Sequence, residues 1–599
     1  RAFFSLVAAG MCLLSVASAS RASPPGGLVT AAASVGPPSP SARPFALSDV
    51  ALAPGSQFAE AQRRNLEYVL TLDDSQLACI FTSAANLTSC GPSAVWRTYF
   101  KNASAPGGFT SSGGYLAAGD DYKPSFKATL DECRSQCTGA AQCAAFSTLK
   151  GTESTDLTCY LKTSAEHFVP TPADGNCPTA GSTDPKAPRC SPLPGEMSLG
   201  GYYGHYQGHF LSAVSMLWNA TGDTRVQDKQ KALVSALERS MDAWAAKYGA
   251  YEDGYLFPFD VVAFEYLNGT LPYPRPGVYS VPFYTVHKLL AGLLDCAQIG
   301  GHPTAMRAAL RLARWSVRYA DTALASGGQG LWQSVLNTEW GGMNEVLVNL
   351  HVATGDKDLL RGARLFDHWV WSRPLAAGRD DLEGNHANTH IPEVIGNAAG
   401  YEADGNVTDK AIVDTFYAAV RANHSWATGG SNAGEYWGAP RRLGDDLRSK
   451  GTSTEETCTQ YNMLKLARRM FAWDADPALF DYYERAMLNG LVGNQDRSDS
   501  AMTRFIYFLP MGGGALQKAW GPSNFGFVCC WGSLTESLSK LGDSIFFEGA
   551  GDKPSVYVTQ FASADLTWRR TGAVLQWRVQ EPYPAAKGLT AQLTVRLKG

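Results

Sequence analysis

The sequence has no cluster of basic residues and almost no excess charge of either sign. Its 51 Lys and Arg residues stand against 55 Asp and Glu residues, a formal net charge of -4 over 599 residues. Proteins that bind nucleic acid carry a basic patch or stripe, so this composition excludes nucleic acid as the expected partner. After residue 19 the chain has no run of eighteen apolar residues, and we expect no membrane span there. What is present is an apolar fraction of 45%, which suits a globular protein with a large core.

Residues 1–20 are predicted to be a secretory signal peptide. Residues 2–19 form a short apolar run that ends in small residues. A membrane anchor is the alternative, because the chain begins with Arg1 and its start is expected to be incomplete. Six Asn-x-Ser/Thr acceptor sites agree with a secretory route: Asn86, Asn102, Asn219, Asn268, Asn406 and Asn423. We expect a secreted glycoprotein, located outside the cell, in the cell wall or in the vacuole.

The thirteen cysteines fall into separate groups. Eight lie early in the chain and, as an even number in a secreted segment, predict disulfides whose pairing the sequence leaves open: Cys79, Cys90, Cys133, Cys137, Cys143, Cys159, Cys177 and Cys190. Cys12 lies in the predicted signal peptide. Cys296 lies alone in an apolar helical pattern, which predicts a buried free thiol. Three more cysteines come late in the chain, and an odd trio cannot pair completely within itself.

Composition divides the first third of the chain into distinct parts. Residues 21–44 are rich in Ala, Ser, Pro and Gly and predict a disordered linker. Residues 45–87 begin with the alternating FALSDVALAP, a predicted strand that could join a later sheet, and continue with a predicted helix at 61–73. Both are expected to join the main fold. Residues 88–195 are rich in Gly, Ser, Thr and Pro and hold most of the cysteines.

The segment 88–195 resembles a PAN/apple module, a small disulfide-stapled fold of adhesion and carbohydrate-binding proteins. The resemblance covers roughly residues 115–165. Cys133 and Cys137 lie one helical turn apart there, so that both face the same way on a short helix. The alternative is a disulfide-stapled loop insertion without a binding role.

Residues 196–545 predict a series of helical hairpins. Amphipathic helices end in short turns such as Thr221-Gly222-Asp223 and Thr354-Gly355-Asp356, and a second helix follows each turn. Such hairpins bury their inner faces either by stacking into an open superhelix or by closing into a ring. Long polar and aromatic segments between the helices suit loops at the mouth of a ring, and we therefore predict an (α/α)6 barrel.

Residues 546–599 alternate with period two, which predicts strands. The pattern stops at Gly599, so this C-terminal domain is expected to be incomplete. The predicted fold class is mostly α with a β-domain: an (α/α)6 barrel of helical hairpins followed by a truncated β-sandwich.

Two late stretches, STEETCTQYNMLKL and FGFVCCWGS, hold the residues best suited to chemistry. The first contains Glu456 and Cys458, and the second contains Cys529 and Cys530. Zinc takes thiolate sulfur and carboxylate oxygen as ligands in tetrahedral sites. From the residues alone three interpretations stay open: a disulfide to Cys458, a purely structural zinc site, and a zinc site with catalytic use.

Eight ordered stretches together resemble glycoside hydrolase family 127, the β-L-arabinofuranosidases. They are GHYQGHFLSA at 204–213, FYTVHKLLAGLLD at 283–295, WGGMNEVLVNLHVATGD at 340–356, AAGRDDLEGNHANTHIP at 376–392, HSWATGGSNAGEYWG at 424–438, EETCTQYNMLKLARRMF at 455–471, DYYERAMLNGL at 481–491 and NFGFVCCWGS at 524–533. Their order and spacing match over nearly all of 45–599 apart from 88–195, and the plant-type branch is the most similar. The resemblance implies an (α/α)6 barrel followed by β-domains.

The resemblance also implies roles for particular residues. It implies a zinc ion held by the same four residues, Cys529 as the nucleophile, and Glu435, in GGSNAGEYWG, as the general acid/base. Retaining glycosidases need a nucleophile on one face of the sugar and a proton donor at the leaving oxygen. A thiol can be that nucleophile only as thiolate, and coordination by zinc deprotonates a thiol.

Candidate sugar contacts are polar or aromatic residues close to these motifs: His209, His287, His386, Asn344 and Tyr461. Further candidates on the same rim are His390, Glu345, Asp380 and Asp381. Imidazole and amide groups can hydrogen-bond sugar hydroxyls, and a tyrosine ring can pack on a sugar face. Each of these residues also has a purely structural interpretation, as a satisfied polar group or as part of the core.

The leading functional prediction is a secreted retaining glycoside hydrolase that releases L-arabinofuranose from β-L-arabinofuranosides. Its partners would be arabinosylated glycans or glycoproteins, and the plant-type resemblance implies hydroxyproline-rich wall glycoproteins. One alternative is a non-catalytic glycan-binding or adhesion protein, although a pure binder has no need of a thiolate. Another is a glycosidase of the same fold with a different sugar specificity. The sequence leaves the oligomeric state open.

Overall fold

The computed structural model describes residues 36–87, 204–259, 261–270, 281–337, 340–497, 505–512, 520, 527–580 and 590–597, together with the backbone of six strands between residues 95 and 170. The predicted signal peptide and most of the predicted linker lie outside the described residues. The described part is mostly helical, with a small β region near its C-terminal end.

The described residues form sixteen α-helices: α1 Gln57–Thr71, α2 Asp74–Ala84, α3 His205–Thr221, α4 Thr224–Tyr248, α5 Val262–Leu267, α6 Pro282–Gln298, α7 Ala305–Val335, α8 Met343–Thr354, α9 Lys357–Leu365, α10 Trp369–Ala376, α11 Ala387–Asp404, α12 Val407–Ala419, α13 Leu443–Lys450, α14 Thr457–Asp474, α15 Pro477–Ala486 and α16 Cys529–Ser539. Within these ranges, no helix combines the length and the hydropathy that a membrane crossing requires. Cys296 is a buried free thiol in α6, which confirms the prediction made for it.

The described residues also form thirteen strands: β1 Ala42–Pro44, β2 Val50–Leu52, β3 Val95–Lys101, β4 Phe109–Leu116, β5 Phe126–Ala128, β6 Ala145–Lys150, β7 Leu157–Lys162, β8 Phe168–Pro170, β9 Phe546–Gly549, β10 Val556–Val558, β11 Ala564–Trp568, β12 Ala573–Val579 and β13 Ala591–Leu597. They belong to three separate sheets.

The helical hairpins share one local design at their turns. The first helix of four hairpins ends at a residue with a left-handed backbone: Gly222, Gly355, Gly405 and Ala475. The next residue caps the second helix by accepting a backbone N–H two residues further on: Asp223, Asp356, Asn406 and Asp476. Such caps satisfy the backbone groups that helix ends leave unpaired. The turn motifs therefore fix where each hairpin bends.

Six of the helices contact one another in a closed cycle. In order, α3 packs on α6, α6 on α8, α8 on α11, α11 on α14, α14 on α16, and α16 packs again on α3. The hairpin partners α4, α7, α9, α12 and α15 each pack on their own member of the cycle. The first two turns of the six helices are buried almost completely. The residues that start these helices are therefore enclosed by protein.

Two glycines let α3 and α6 approach closely. A Cβ atom on Gly208 would lie 2.1 Å from the backbone carbonyl of Lys288, and one on Gly292 would lie 2.5 Å from the carbonyl oxygen of Gly208. A side chain of any size at either position would force the helices apart. This contact sets the positions of His209 and Lys288, which lie next to it in the sequence.

The C-terminal β region consists of two small antiparallel sheets. Their strand orders are β1-β9-β10 and β13-β12-β11-β2. Val50–Leu52 pairs with Ala564–Leu566, so an early strand does join a late sheet. It is shorter than the alternating pattern predicts, because Leu47–Asp49 forms a turn of 3-10 helix before it.

Part of the predicted disordered linker is ordered. Ala42–Pro44 pairs with Phe547–Gly549, and Ser41 exchanges backbone hydrogen bonds with Ala472 and Ala550. The proline is tolerated because it ends an edge strand, where its missing N–H is not needed. The prediction of disorder up to residue 44 is therefore wrong for residues 36–44. A composition rich in Pro, Ala and Ser cannot reveal a pairing partner about 500 residues away.

The segment between residues 95 and 170 contains an antiparallel sheet of six strands in the order β5-β7-β6-β3-β4-β8. Cys79, just before this segment on α2, is disulfide-bonded. The side chains of the other seven early cysteines lie outside the described residues. Their pairing and the PAN/apple interpretation therefore stay predictions.

Candidate active site

Two helix starts bring the four predicted ligand residues together. Glu456 is the N-cap residue of α14 and Cys458 lies in its first turn, while Cys529 and Cys530 open α16. One side-chain oxygen or sulfur atom of each residue lies within 4.8 Å of the other three. All are buried except Cys529, which is partly exposed. Cys529 is thus the member of the cluster that a substrate can reach.

The cluster has the donor atoms and the size of a tetrahedral metal site. With metal–sulfur bonds of about 2.3 Å, ligand atoms in such a site lie about 3.8 Å apart. The Cys458 and Cys530 sulfurs are 3.3 Å apart, and Cys530 Sγ lies 3.7 Å from Glu456 Oε1. All three thiols are free, so the disulfide interpretation does not describe this structure. The residues fit an ion of the kind that thiolates and carboxylates bind.

The three thiols differ in their tendency to ionise. Burial raises the pKa of Cys458 and of Cys530 well above the usual thiol value. Hydrogen bonds from Cys458 and Cys530 hold the pKa of Cys529 well below that value. Negative charge therefore concentrates on the sulfur of Cys529, and the thiolate is the nucleophilic form of cysteine.

Tyr507 connects Glu435 to Cys529. Its hydroxyl donates a short hydrogen bond to Glu435 Oε1 and lies 3.5 Å from Cys529 Sγ. Because one hydroxyl contacts both groups, the carboxylate and the sulfur lie within about 6 Å of each other. Retaining glycosidases place their two catalytic groups about 5 to 5.5 Å apart. The upper limit of about 6 Å on the separation of Glu435 and Cys529 includes this range.

His386 contacts the same carboxylate from another side. As the N-cap residue of α11, it accepts the Thr389 backbone N–H and hydroxyl at Nδ1, at 3.3 and 3.0 Å. A ring nitrogen that accepts carries no proton, so we assign the proton of the neutral ring to Nε2. Nε2 lies 3.4 Å from Glu435 Oε2. His386 therefore helps to orient Glu435.

The loop that carries Glu435 is tied to the ligand Glu456. Asn432 accepts the backbone N–H of Glu456 at 3.1 Å and donates to Glu456 Oε2 at 3.3 Å. Asn432, Glu435 and Glu455 all have positive φ, at 74°, 72° and 51°. Residues with side chains rarely adopt this conformation, and it persists where surrounding contacts impose it. Glu435 and the cluster of Glu456, Cys458, Cys529 and Cys530 are thus held as one unit.

His209 and Tyr461 belong to a hydrogen-bonded cluster centred on Glu536. The carboxylate contacts His209 Nδ1 at 2.9 Å and accepts from Tyr461 at 2.6 Å and from Lys540 at 2.9 Å. Burial lowers the pKa of His209 to about 4, so its ring is neutral at pH 7. The proton faces Glu536 and leaves Nε2 as an acceptor. The His209 ring packs against Gly532, in the second turn of α16.

The other candidate sugar-contact residues lie in different environments. His287 is buried with its ring against Gly341, and burial lowers its pKa. Asn344 links α8 to α11 by donating to the Glu393 carbonyl. Glu345 pairs with Lys465 and Arg469, Asp380 pairs with His424, Asp381 is exposed, and His390 packs against Trp340 and Trp371. The contacts of this last group are structural.

A cavity of about 730 Å³ is lined by all six helices of the cycle, with Glu402 as the residue from α11, and by residues of the segment 38–47. His209, His287 and Tyr461 are among its lining residues, whereas Cys529 and Glu435 are not. Three of the sugar-contact candidates therefore line an internal space.

Sequence reasoning missed Tyr507, Asn432 and Glu536. Tyr507 follows a stretch without a helical or turn motif, and it reaches Glu456 and Glu435 only through long-range pairing of its backbone neighbours. Asn432 lies in the quoted GGSNAGEYWG, where an Asn in a Gly-rich turn is itself a signal for positive φ. Glu536 has no local signal beyond lying two turns after Cys529.

A model of the β-L-arabinofuranosidase GH127 catalytic domain matches residues 176–543. A solved GH127 β-arabinofuranosidase is similar with a TM-score of 0.54 at 14% identity, over 93% of this chain and 70% of its own. A GH127 β-L-arabinofuranosidase from Geobacillus stearothermophilus T6 has a TM-score of 0.47 at 15% identity, over 66% of this chain and 65% of its own. A third structure, described as a glycoside hydrolase, has a TM-score of 0.47 at 15% identity, over 65% and 63%.

The chain thus spans about two thirds of the length of these structures. No curated protein matches it. The likeness to the first structure concerns the fold, and the family match covers the helices that carry the site. The chain belongs to the GH127 β-L-arabinofuranosidase family and is a glycoside hydrolase.

Proposed function

We propose that the protein is a retaining β-L-arabinofuranosidase in which Cys529 is the nucleophile and Glu435 is the general acid/base. The observation that carries the proposal is the contact of Tyr507 with both groups, which holds a partly exposed thiol and a carboxylate within about 6 Å. Family membership supports the substrate class.

In the first step the Cys529 sulfur attacks the anomeric carbon. A carbon–sulfur bond forms as the bond to the leaving oxygen breaks, and Glu435 gives its proton to that oxygen. In the second step Glu435 takes a proton from water, the water oxygen bonds to the anomeric carbon, and the sulfur leaves as thiolate. Two displacements on one carbon retain its configuration.

We assign Glu456, Cys458, Cys529 and Cys530 as the residues that hold zinc. When bound, zinc would keep the Cys529 sulfur ionised at neutral pH. The donor set, three sulfurs and one carboxylate oxygen, supports zinc over magnesium or calcium, which prefer oxygen ligands. Asn432 keeps Glu456 in position by two hydrogen bonds.

The sugar is proposed to lie against His209, His287, His386 and Tyr461. The substrates would be arabinosylated glycans or glycoproteins, with hydroxyproline-rich wall glycoproteins as the plant-type case. Secretion is supported by the disulfide at Cys79, because such bonds persist in oxidising compartments. The cyclic contacts of the helices support an (α/α)6 barrel, with the two small sheets as the start of a β-sandwich.

The test is hydrolysis of a chromogenic β-L-arabinofuranoside. Wild type is expected to turn it over, to lose activity in a chelator and to regain activity with one zinc per chain. Cys529→Ala should abolish turnover and keep the fold by circular dichroism. Cys296→Ala, a buried free cysteine away from the cluster, is the matched control and should stay active. Near-normal activity of Cys529→Ala would refute the assignment.

A non-catalytic glycan-binding protein gains no support, because the thiol cluster and the ordered carboxylate have no use in binding alone. A related sugar specificity is the remaining alternative. Higher turnover of another pentofuranoside or of a hexoside than of the β-L-arabinofuranoside would favour it.

A further inference from the structure

Lys288 is a buried cation that has no hydrogen bond or ion pair within the described residues. Its side chain is 5% exposed. Its ammonium lies 5.1 Å from the ring centre of Tyr284 and 5.9 Å from that of Tyr461. Aromatic faces attract a cation, but they replace only part of the hydration it loses on burial. A lysine is seldom buried without a partner, so this one calls for an explanation.

The other lysine and arginine residues that line the same cavity with a partly buried side chain are paired, whereas Arg43 is exposed. Lys465 binds Glu345 at 2.9 Å, and Lys540 binds Glu536 at 2.9 Å. Arg469 binds both Glu345 and Glu402. Lys288 therefore differs from these neighbours in lacking an ion pair, although it lines the same cavity.

An acceptor without a partner lies near this donor. His209 Nε2 is buried and has no hydrogen-bond partner within the described part of the chain. His209 also lines the cavity. Both side chains lie against the ring of Tyr461: the centre of the His209 ring is 5.7 Å from its centre, and the Lys288 ammonium is 5.9 Å from it. Gly208 keeps them close, because it lets α3 and α6 touch at the backbone of Lys288.

A donor beside an acceptor matches the chemistry of a hydroxyl group. A hydroxyl can give its proton to His209 Nε2 and accept a hydrogen bond from Lys288 at the same time. An ionised carboxylate could accept from the ammonium but has no proton for the imidazole. A purely apolar guest could use neither.

We propose that Lys288 is a substrate-binding residue that, together with His209 Nε2, recognises one hydroxyl group of the sugar. This inference rests on the proposed function, since the sugar must reach the cavity side of the catalytic pair. Binding of the hydroxyl supplies both partners that the buried groups lack. Specificity follows, because a substrate without that hydroxyl leaves a buried ammonium unpaired.

The test compares Lys288→Met with wild type on a chromogenic β-L-arabinofuranoside and on its 2-, 3- and 5-deoxy analogues. Lys288→Met keeps the length of the side chain and removes its charge and its donors. We expect kcat/KM to fall about 10- to 100-fold on the parent and on two analogues, as for a lost hydrogen bond to a charged group. On the one analogue that lacks the recognised hydroxyl, the loss should shrink to less than about threefold.

Lys465→Met, which removes a paired cation from the same cavity, is the matched control. It should change kcat/KM by one common factor on all four substrates. An equal loss for Lys288→Met on all four would overturn the inference and leave the proposed function standing. If Lys288→Met does not fold, Lys288→Gln, which keeps one donor group, is compared on the same series with the same criterion.

Calorimetric binding of free sugars separates this inference from the proposed function. If wild type hydrolyses no arabinofuranoside but binds a monosaccharide that Lys288→Met binds at least tenfold more weakly, the proposed function fails and the role of Lys288 stands. Equal binding of every sugar by both proteins would overturn that role.

Discussion

Tyr507 is the residue on which the proposed catalytic pair, Glu435 and Cys529, depends most directly. Its hydroxyl donates to Glu435 and lies beside the Cys529 sulfur, while burial raises its own pKa well above that of a free tyrosine. The phenol therefore stays protonated and acts as a donor over the whole working range. A neutral donor between a carboxylate and a thiolate keeps two like charges apart without removing either.

Tyr507→Phe should lower kcat/KM about 10- to 100-fold. The phenylalanine keeps the ring and removes one hydrogen bond to a charged group, a change of about 1.5 to 3 kcal/mol. The measurement is kcat/KM on the chromogenic substrate, with Tyr557→Phe, a half-exposed tyrosine in β10, as control. A loss of less than twofold would mean that Tyr507 does not order the pair.

Glu455 gives a prediction for the pH dependence of stability. Burial raises its pKa from 4.5 to about 7, although Thr428 and Gln460 donate hydrogen bonds to it. A carboxyl group with a raised folded-state pKa destabilises the fold when it ionises. This destabilisation is absent below pH 4.5 and complete above pH 7, and at 1.36 kcal/mol per pKa unit it amounts to about 3 kcal/mol.

Glu455→Gln should therefore raise the free energy of unfolding by up to about 3 kcal/mol at pH 8 and by little at pH 4.5. The Thr428 hydroxyl can turn to accept from the new amide, so the hydrogen bonds need not be lost. Urea denaturation at both pH values measures the difference, with the exposed Glu383→Gln as control. An equal change at both pH values would show that Glu455 does not ionise with a raised pKa.

At the scale of elements, the sequence predicts where the helical hairpins turn, but it does not predict that six helices close into a cycle. Gly222-Asp223 and Gly355-Asp356 predict the end of one helix and the start of the next, because helix capping depends on residues within one turn. The cycle of six helices depends on contacts between residues as far apart as the 327 positions from His209 to Glu536, for which no local pattern exists. The role of Tyr507 could not be predicted for the same reason, because its partners Glu435 and Cys529 lie 72 and 22 positions away in the sequence.

Two of the four turns have different residues at the left-handed position, so that opposite substitutions can test the capping argument. Ala475 occupies the left-handed position that Gly355 fills in another hairpin, at φ 57° against 75°. A side chain costs about 1 kcal/mol there. Ala475→Gly should therefore raise the free energy of unfolding by about 1 kcal/mol, and Gly355→Ala should lower it by a similar amount. A Cβ at Gly355 meets no atom within 4 Å, so the cost is conformational. Changes of the same sign in both variants, in urea denaturation, would contradict this explanation.

At the scale of the whole molecule, the cycle brings residues from distant parts of the chain to one place. Glu456 and Cys458 come from the start of α14, Cys529 from the start of α16, and His386 from the cap of α11. Glu435 lies on the loop between α12 and α13. The sequence identified most of these residues through motifs, but only the packing of the helices makes them neighbours.

The same packing encloses a cavity lined by charged side chains. Most of its cations are paired, and the buried exception, Lys288, lies where α3 and α6 touch. Within the described residues, the six strands between residues 95 and 170 pair only with one another. That this segment is an insertion stays a prediction, and its strand order had no signal in the sequence.

The most direct measurement is the mass of the protein during turnover. In Glu435→Ala the second step lacks its base, whereas an activated phenolate leaves without acid in the first step. Incubation of this variant with a nitrophenyl β-L-arabinofuranoside should therefore add the mass of one anhydropentose, and fragmentation should locate it on Cys529. An adduct on any other residue, or release of sugar with inverted configuration and no adduct, would contradict the thiolate mechanism.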